Sequence, residues 1–114
     1  MTRSIELLLE DILQSISRLQ RYTSGISFDE FAEDTQVQDA VIRRIEIIGE
    51  AVKGIPEDFR ALHPDIPWRD IAGARDLMIH QYHRVDLELA WDMVMQDVPK
   101  LAAQIERIRS ELYK

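Results

Sequence analysis

Cysteine is absent from this chain of 114 residues, and with it go a disulfide framework, thiolate zinc sites and a cysteine nucleophile. Any chemistry must come from His, Asp, Glu, Arg, Tyr, Ser or Thr. Long apolar runs are missing too. Leu7-Leu8-Leu9 and Leu77-Met78-Ile79 fall far short of the ~20 residues that a membrane span requires. Thr2, Arg3 and Ser4 lead into an acidic amphipathic pattern with no apolar h-region or small-residue cleavage site, so a cytoplasmic protein without export is expected. Positive charge is in deficit, 14 Lys and Arg against 21 Asp and Glu, a formal balance of −7. That balance opposes generic attraction to nucleic acid or acidic membranes, so an RNA-related role would need a local basic site. Period-two alternation, internal repeats, low-complexity runs, glycine-rich phosphate loops and a recognisable Ser/His/Asp context are all lacking.

What is present is helical periodicity. The hydrophobic fraction of 46% suffices for the core of one domain over residues 1–114. Ile5, Leu8, Leu9, Ile12, Ile16 and Leu19 step by three and four and trace one stripe of a first helix. Ser27-Phe28-Asp29-Glu30 has capping-box spacing and predicts a short helix. Thr35-Gln36-Val37-Gln38 repeats the start signal and opens a long helix through Val37, Val41, Ile45, Ile48 and Val52, ended by Gly54 and Pro56. Pro56 to Pro67 holds three of the four prolines and is expected to be irregular. From Trp68 helical spacing returns, with Ile71, Ala74, Met78 and Tyr82 on one face and Leu77 and Ile79 on others. A helix apolar on several sides is central or faces a second chain. Asp86 is expected to cap the next helix, whose stripe is Leu87, Ala90, Trp91, Val94 and Met95, with Pro99 kinking or dividing it before Leu101, Ile105, Ile108 and Leu112. The expected fold is all-α, an up-and-down bundle of four main helices with one or two short extra ones.

Candidate chemistry concentrates in the segment from Pro67 to His83, which carries Arg69, Asp70, Arg75, Asp76, His80, Tyr82 and His83. On a continuous helix, Arg75 and Tyr82 lie on nearly one face, and Asp76, His80 and His83 on another. Arg75 and His80 point roughly 140° apart on an ideal helix. Their convergence therefore needs the reach of the arginine, a helix break or a second copy across a two-fold axis. A neutral histidine can take and return a proton at pH 7, and a guanidinium can hold developing phosphate charge. Those are the parts that metal-independent RNA cleavage requires. The plain alternative is a polar helix end, with Arg75 paired to Asp76 or Asp70 and His80 packed at the bundle edge. A metal site from Asp76, His80 and His83 is a further alternative. Glu46 and Glu50 read as a solvated face or as partners of Arg43 and Arg44, and Trp68 and Trp91 as core or interface anchors.

The order of these residues resembles the HepT-like branch of the HEPN superfamily. Arg75-Asp76-Leu77-Met78-Ile79-His80-Gln81-Tyr82 fits its Arg-x-x-x-x-His-x-Tyr pattern. Flanking agreement comes from Pro67 to Gly73, Val85-Asp86, Trp91, Asp97 to Leu101, and Arg44 to Ala51. The resemblance implies the toxin of a type VII toxin–antitoxin pair, a metal-independent RNA endonuclease that needs no cofactor and forms its site when two protomers, in a homodimer or higher oligomer, join their motif helices. It assigns transition-state phosphate stabilisation to Arg75, proton transfer to His80 and the polar position after the arginine to Asp76. It further implies a minimal nucleotidyltransferase antitoxin that transfers AMP from ATP to Tyr82, adding bulk and negative charge beside the cleft. Arg69, Arg75, Arg84 and the two histidines would then form a local positive cleft. The alternative is a non-catalytic helical scaffold, or an antitoxin, that binds a nucleotidyltransferase.

Overall fold

A computed structural model describes residues 3–79 and 85–112, and these are helical throughout apart from turns and one isolated β-bridge. The all-α expectation holds. Helix α1 (Ile5–Thr23) starts where the Ser4 hydroxyl accepts the Leu7 amide at 3.2 Å. Helix α2 (Phe28–Glu33) has the complete capping box, each of Ser27 and Glu30 accepting the other's backbone amide. Helix α3 (Thr35–Lys53) begins one residue earlier than its expected cap: the Asp34 carboxylate accepts the Val37 amide at 3.2 Å, and Thr35 is already helical. Asp34 also ends α2, so a single residue makes the whole turn and leaves no place for a second cap.

The proline-rich stretch is more regular than its composition suggests. It holds a short helix, α4 (Glu57–Ala61), entered from Pro56 and with Glu57 and Asp58 in its first turn. A proline at a helix entry forfeits no internal hydrogen bond, and acidic residues there favour the positive end of the helix dipole. The Trp68 indole N–H closes the stretch by donating to the carbonyls of Arg60 at 3.1 Å and His63 at 3.0 Å.

The continuous helix expected from Trp68 to Tyr82 is not what forms. The chain makes α5 (Trp68–Ala72), breaks at Gly73, makes α6 (Ala74–Met78) and turns extended at Ile79. Glycine inside a helix costs about 1 kcal/mol relative to alanine, so the break falls where helical continuity is weakest. After Val85, which bridges to Ile79, come α7 (Leu87–Asp92), a π-helical segment (Met93–Asp97) and α8 (Val98–Leu112). Asp86 caps α7 as expected, accepting the Leu89 amide at 3.0 Å. The division expected at Pro99 takes the form of the π turn just before it, in which the Val98 amide reaches back to the Met93 carbonyl. The widened turn changes which residues face inward. Val94 and Val98 are buried, whereas Met95, expected on the apolar stripe, is 41% exposed.

Three long helical rods therefore build the bundle: α1, α3 and the run from Leu87 to Leu112. The short α5 and α6 occupy the remaining place. Helix α3 is the hub, packing most extensively on α1 and touching α2, α5, α6 and α7, while α1 also packs on α8. The core runs through Leu9, Ile12, Leu19, Val41, Val52, Met78 and Ile105, all fully buried. Burial of each such side chain contributes roughly 1.5–3 kcal/mol. Trp91 joins α7 to α2 through Phe31, at 5.2 Å between ring centroids, and Phe28, edge-on at 6.1 Å.

Candidate active site

Five features fix the segment bearing the arginine. Gly49 on α3 lets the end of α5 approach until an added Cβ would lie 3.1 Å from the Ala72 carbonyl oxygen and 3.4 Å from that of Ile71. Trp68 anchors the entry to α5, and the fully buried Met78 anchors the end of α6. The Met78 carbonyl accepts the Asp86 amide at 2.6 Å. With the Ile79–Val85 bridge, that bond brings the chain leaving α6 back beside itself at the entry to α7.

Arg75 sits on the outer side of α6 with its side chain 46% exposed. Its Nε forms an ion pair with Glu46 Oε2 at 2.7 Å, and its Nη1 lies 3.7 Å from Asp76 Oδ1. Neither sequence alternative named this main partner. Asp76 stands near the guanidinium but is 86% exposed and too distant for a hydrogen bond. Glu46 does pair with Arg43, as expected, accepting from its Nη1 at 2.7 Å through Oε1. One carboxylate thus carries two guanidinium groups, one on each oxygen. The available hint was Gly49, a turn beyond Glu46, which marks where α3 takes a neighbour at close range. Glu50 pairs with Lys53 at 3.3 Å.

Helix α6 stands between two clefts. On one side a cavity of about 270 Å³ is bordered by Glu46, Gly49, Glu50, Lys53, Arg75 and Asp76. Three carboxylates face two cations there among the described residues, while Arg84 and the two histidines of the expected positive cleft lie outside them. On the other side a groove of about 350 Å³ runs between α3, α6 and α8, with Ile45, Ile48, Ile71, Ala74 and Leu101 in its walls. Leu77 borders it and is 59% exposed. His80, Tyr82, His83 and Arg84 lie outside the described residues, so the expected proton-transfer, modification and metal positions do too. Among the described residues, no group of three or more His, Asp or Glu side chains is arranged to hold a metal ion, and no helix is long and apolar enough to cross a membrane.

The Asp65 carboxylate joins the turn before α5 to α8, accepting from Arg107 Nη2 at 2.7 Å, while the Gln104 amide donates to the Asp65 carbonyl at 3.1 Å. The guanidinium hydrogen bond holds the Asp65 carboxyl below its usual range and raises Arg107 in turn.

A family model described as ribonuclease HepT-like matches residues 12–108. A relative from Thermococcus cleftensis, named "Probable ribonuclease HepT", is 47% identical over 96% of this chain and 99% of its own length. A Methanocaldococcus jannaschii protein, named "Gamma-glutamylcyclotransferase and putative RNase", is 45% identical over the whole chain, which spans 51% of that larger protein. No solved structure matches. With the match covering α1 to α8 and including Glu46, Arg75 and Asp86, the chain belongs to the HepT-like ribonuclease family.

Proposed function

We propose that this chain is a metal-independent RNA endonuclease, the toxin of a type VII toxin–antitoxin pair, working in the cytoplasm as a homodimer built from one helical domain per protomer. The observation that carries the reading is the family match through the Arg75 segment, taken with a guanidinium that remains half open to solvent. In the reaction, a ribose 2′-OH attacks the adjacent phosphorus and the 5′ oxygen leaves. Arg75 stabilises charge on the phosphoryl oxygens, and His80 moves a proton to or from the reacting oxygens. Asp76 is a supporting group beside the arginine. Two protomers would meet over α6 and the apolar groove bordered by Leu77, bringing two copies of the motif to one cleft.

Control would come from a minimal nucleotidyltransferase that joins AMP to the Tyr82 hydroxyl and releases pyrophosphate from ATP. The added phosphate would repel RNA electrostatically and block its path. The test is cleavage of a defined RNA by purified, unmodified protein in EDTA. The expected products carry 2′,3′-cyclic phosphate or 3′-phosphate ends, and Arg75→Ala and His80→Ala proteins that stay folded are expected to keep only a small residual activity. Loss of cleavage with chelator would turn the assignment toward a metal site at Asp76, His80 and His83. Absence of cleavage, with a stable nucleotidyltransferase complex, would leave a binding scaffold.

A further inference from the structure

We propose that Glu46 is a positioning residue for Arg75, an inference that rests on the nuclease reading above. A lone arginine at a half-exposed site has much rotamer freedom, and a phosphate must then capture and order it. Here the Nε edge is already held by Glu46 Oε2 at 2.7 Å. A contact at Nε leaves the Nη donors for a ligand, and these can grip two phosphoryl oxygens in parallel. The carboxylate is itself held, because Arg43 takes its other oxygen at 2.7 Å. It is also built on the hub helix, one turn before the close packing of Gly49 against Ala72.

Geometry, rather than net charge, separates positioning from quenching: Glu46 engages the Nε edge and stays clear of the Nη pair. Glu46 is shared by two guanidinium groups, so its single charge is divided between them and Arg75 is not fully neutralised by it, although Asp76 at 3.7 Å and the other carboxylates bordering the cleft offset the remaining positive charge. The arrangement resembles the carboxylate that orients a metal-bound or catalytic imidazole: the acid touches no substrate and acts through the group it holds.

The test compares cleavage by wild-type, Glu46→Ala, Glu46→Gln, Arg75→Ala and Glu46→Ala/Arg75→Ala proteins, with the Arg75 Nε–H signal followed by ¹⁵N NMR. Glu46→Ala is expected to lower kcat about ten- to hundredfold, the effect of releasing a transition-state donor from its fixed position. KM should change little, and the Nε–H signal should merge with those of the solvent-exchanging arginines. Glu46→Gln keeps one acceptor oxygen but sets an amide N–H₂ against one of the two guanidinium groups and removes the charge, so its rate and its Nε–H signal are expected to fall between those of wild type and Glu46→Ala. In the Arg75→Ala background, Glu46→Ala should cost nothing further, whereas a merely structural role would cost the same in both. If Arg75→Ala is impaired but Glu46→Ala matches wild type, or if Glu46→Ala also lowers the residual rate without Arg75, the positioning role is overturned alone. If Arg75→Ala cleaves like wild type, the nuclease reading falls and this inference with it.

Discussion

Gly49 and Ala72 are in backbone contact: a methyl group on the glycine would come within 3.1 Å of the alanine carbonyl oxygen. That distance is shorter than an ordinary carbon–oxygen contact, and a carbonyl in the last turn of α5 cannot swing aside as a side chain can. Gly49→Ala would gain about 1 kcal/mol of helix propensity and lose about 1–3 kcal/mol to overpacking. The expected result is a net destabilisation of about 1 kcal/mol, read from the urea midpoint. A Gly49→Val protein should be weaker still.

Arg75→Ala should separate activity from stability. The ion pair with Glu46 is partly exposed, and such pairs contribute about 0–1 kcal/mol. Thermal melts should therefore stay close to wild type while RNA cleavage falls by about 10²–10³-fold, the usual loss for a donor aimed at transition-state charge. A large fall in melting temperature would make the inactivity uninformative and would contradict the exposure of this side chain.

Leu77 tests the assembly. It is 59% exposed beside an apolar groove, so Leu77→Glu should leave each protomer folded and weaken self-association. Sedimentation should move from dimer toward monomer, and cleavage should fall with it. A wild-type protein that sediments as a monomer at all concentrations would count against a site shared between two copies.

Asp65 predicts a pH dependence. Its folded-state pKa is depressed by the Arg107 hydrogen bond, so the pair stabilises the fold above the unfolded carboxylate pKa of about 3.9 and ceases to do so as pH falls through the folded value. Asp65→Asn should be less stable than wild type at pH 7, with the gap closing in acid and shrinking in high salt. Urea midpoints at neutral and acid pH check this. A gap that stays constant with pH would mean that charge is not its source.

Trp68→Phe should cost about 1–2 kcal/mol, because the ring packing is largely kept while the indole donor to Arg60 and His63 is lost. Both carbonyls retain a backbone donor, which limits the penalty. Equilibrium unfolding followed by circular dichroism measures it.

The residues that could be read correctly from sequence were those whose partners are close in the chain. Ser27 with Glu30, Asp86 with Leu89 and the stripe of α1 each involve neighbours within one or two turns. The break at Gly73 was not legible, because a lone glycine lowers helix propensity without ending a helix, and the packing of the α5 end on Gly49 is a contact between distant parts of the chain. The partnership of Arg75 with Glu46 was hidden for the same reason, as nothing local distinguishes Glu46 from Glu50. The outward turn of Met95 followed from a π segment for which Pro99 alone gave a partial sign. Family resemblance supplied the identity of the arginine as a site residue, and the fold supplied its neighbours.

The bulge from Met93 to Asp97 sets the angular phase of everything after it. Val98, Leu101, Ile105 and Ile108 point inward only because one turn is wider than its neighbours. Closing this turn to α geometry with every residue kept would rotate the C-terminal helix by about 100°, presenting polar side chains to α1 and pulling Arg107 away from Asp65. A one-residue deletion within the turn would instead be absorbed by a return to α geometry, so homologues one residue shorter should carry their gap here, whereas a deletion elsewhere in α7 or α8 would have to relocate the entire inward-facing row.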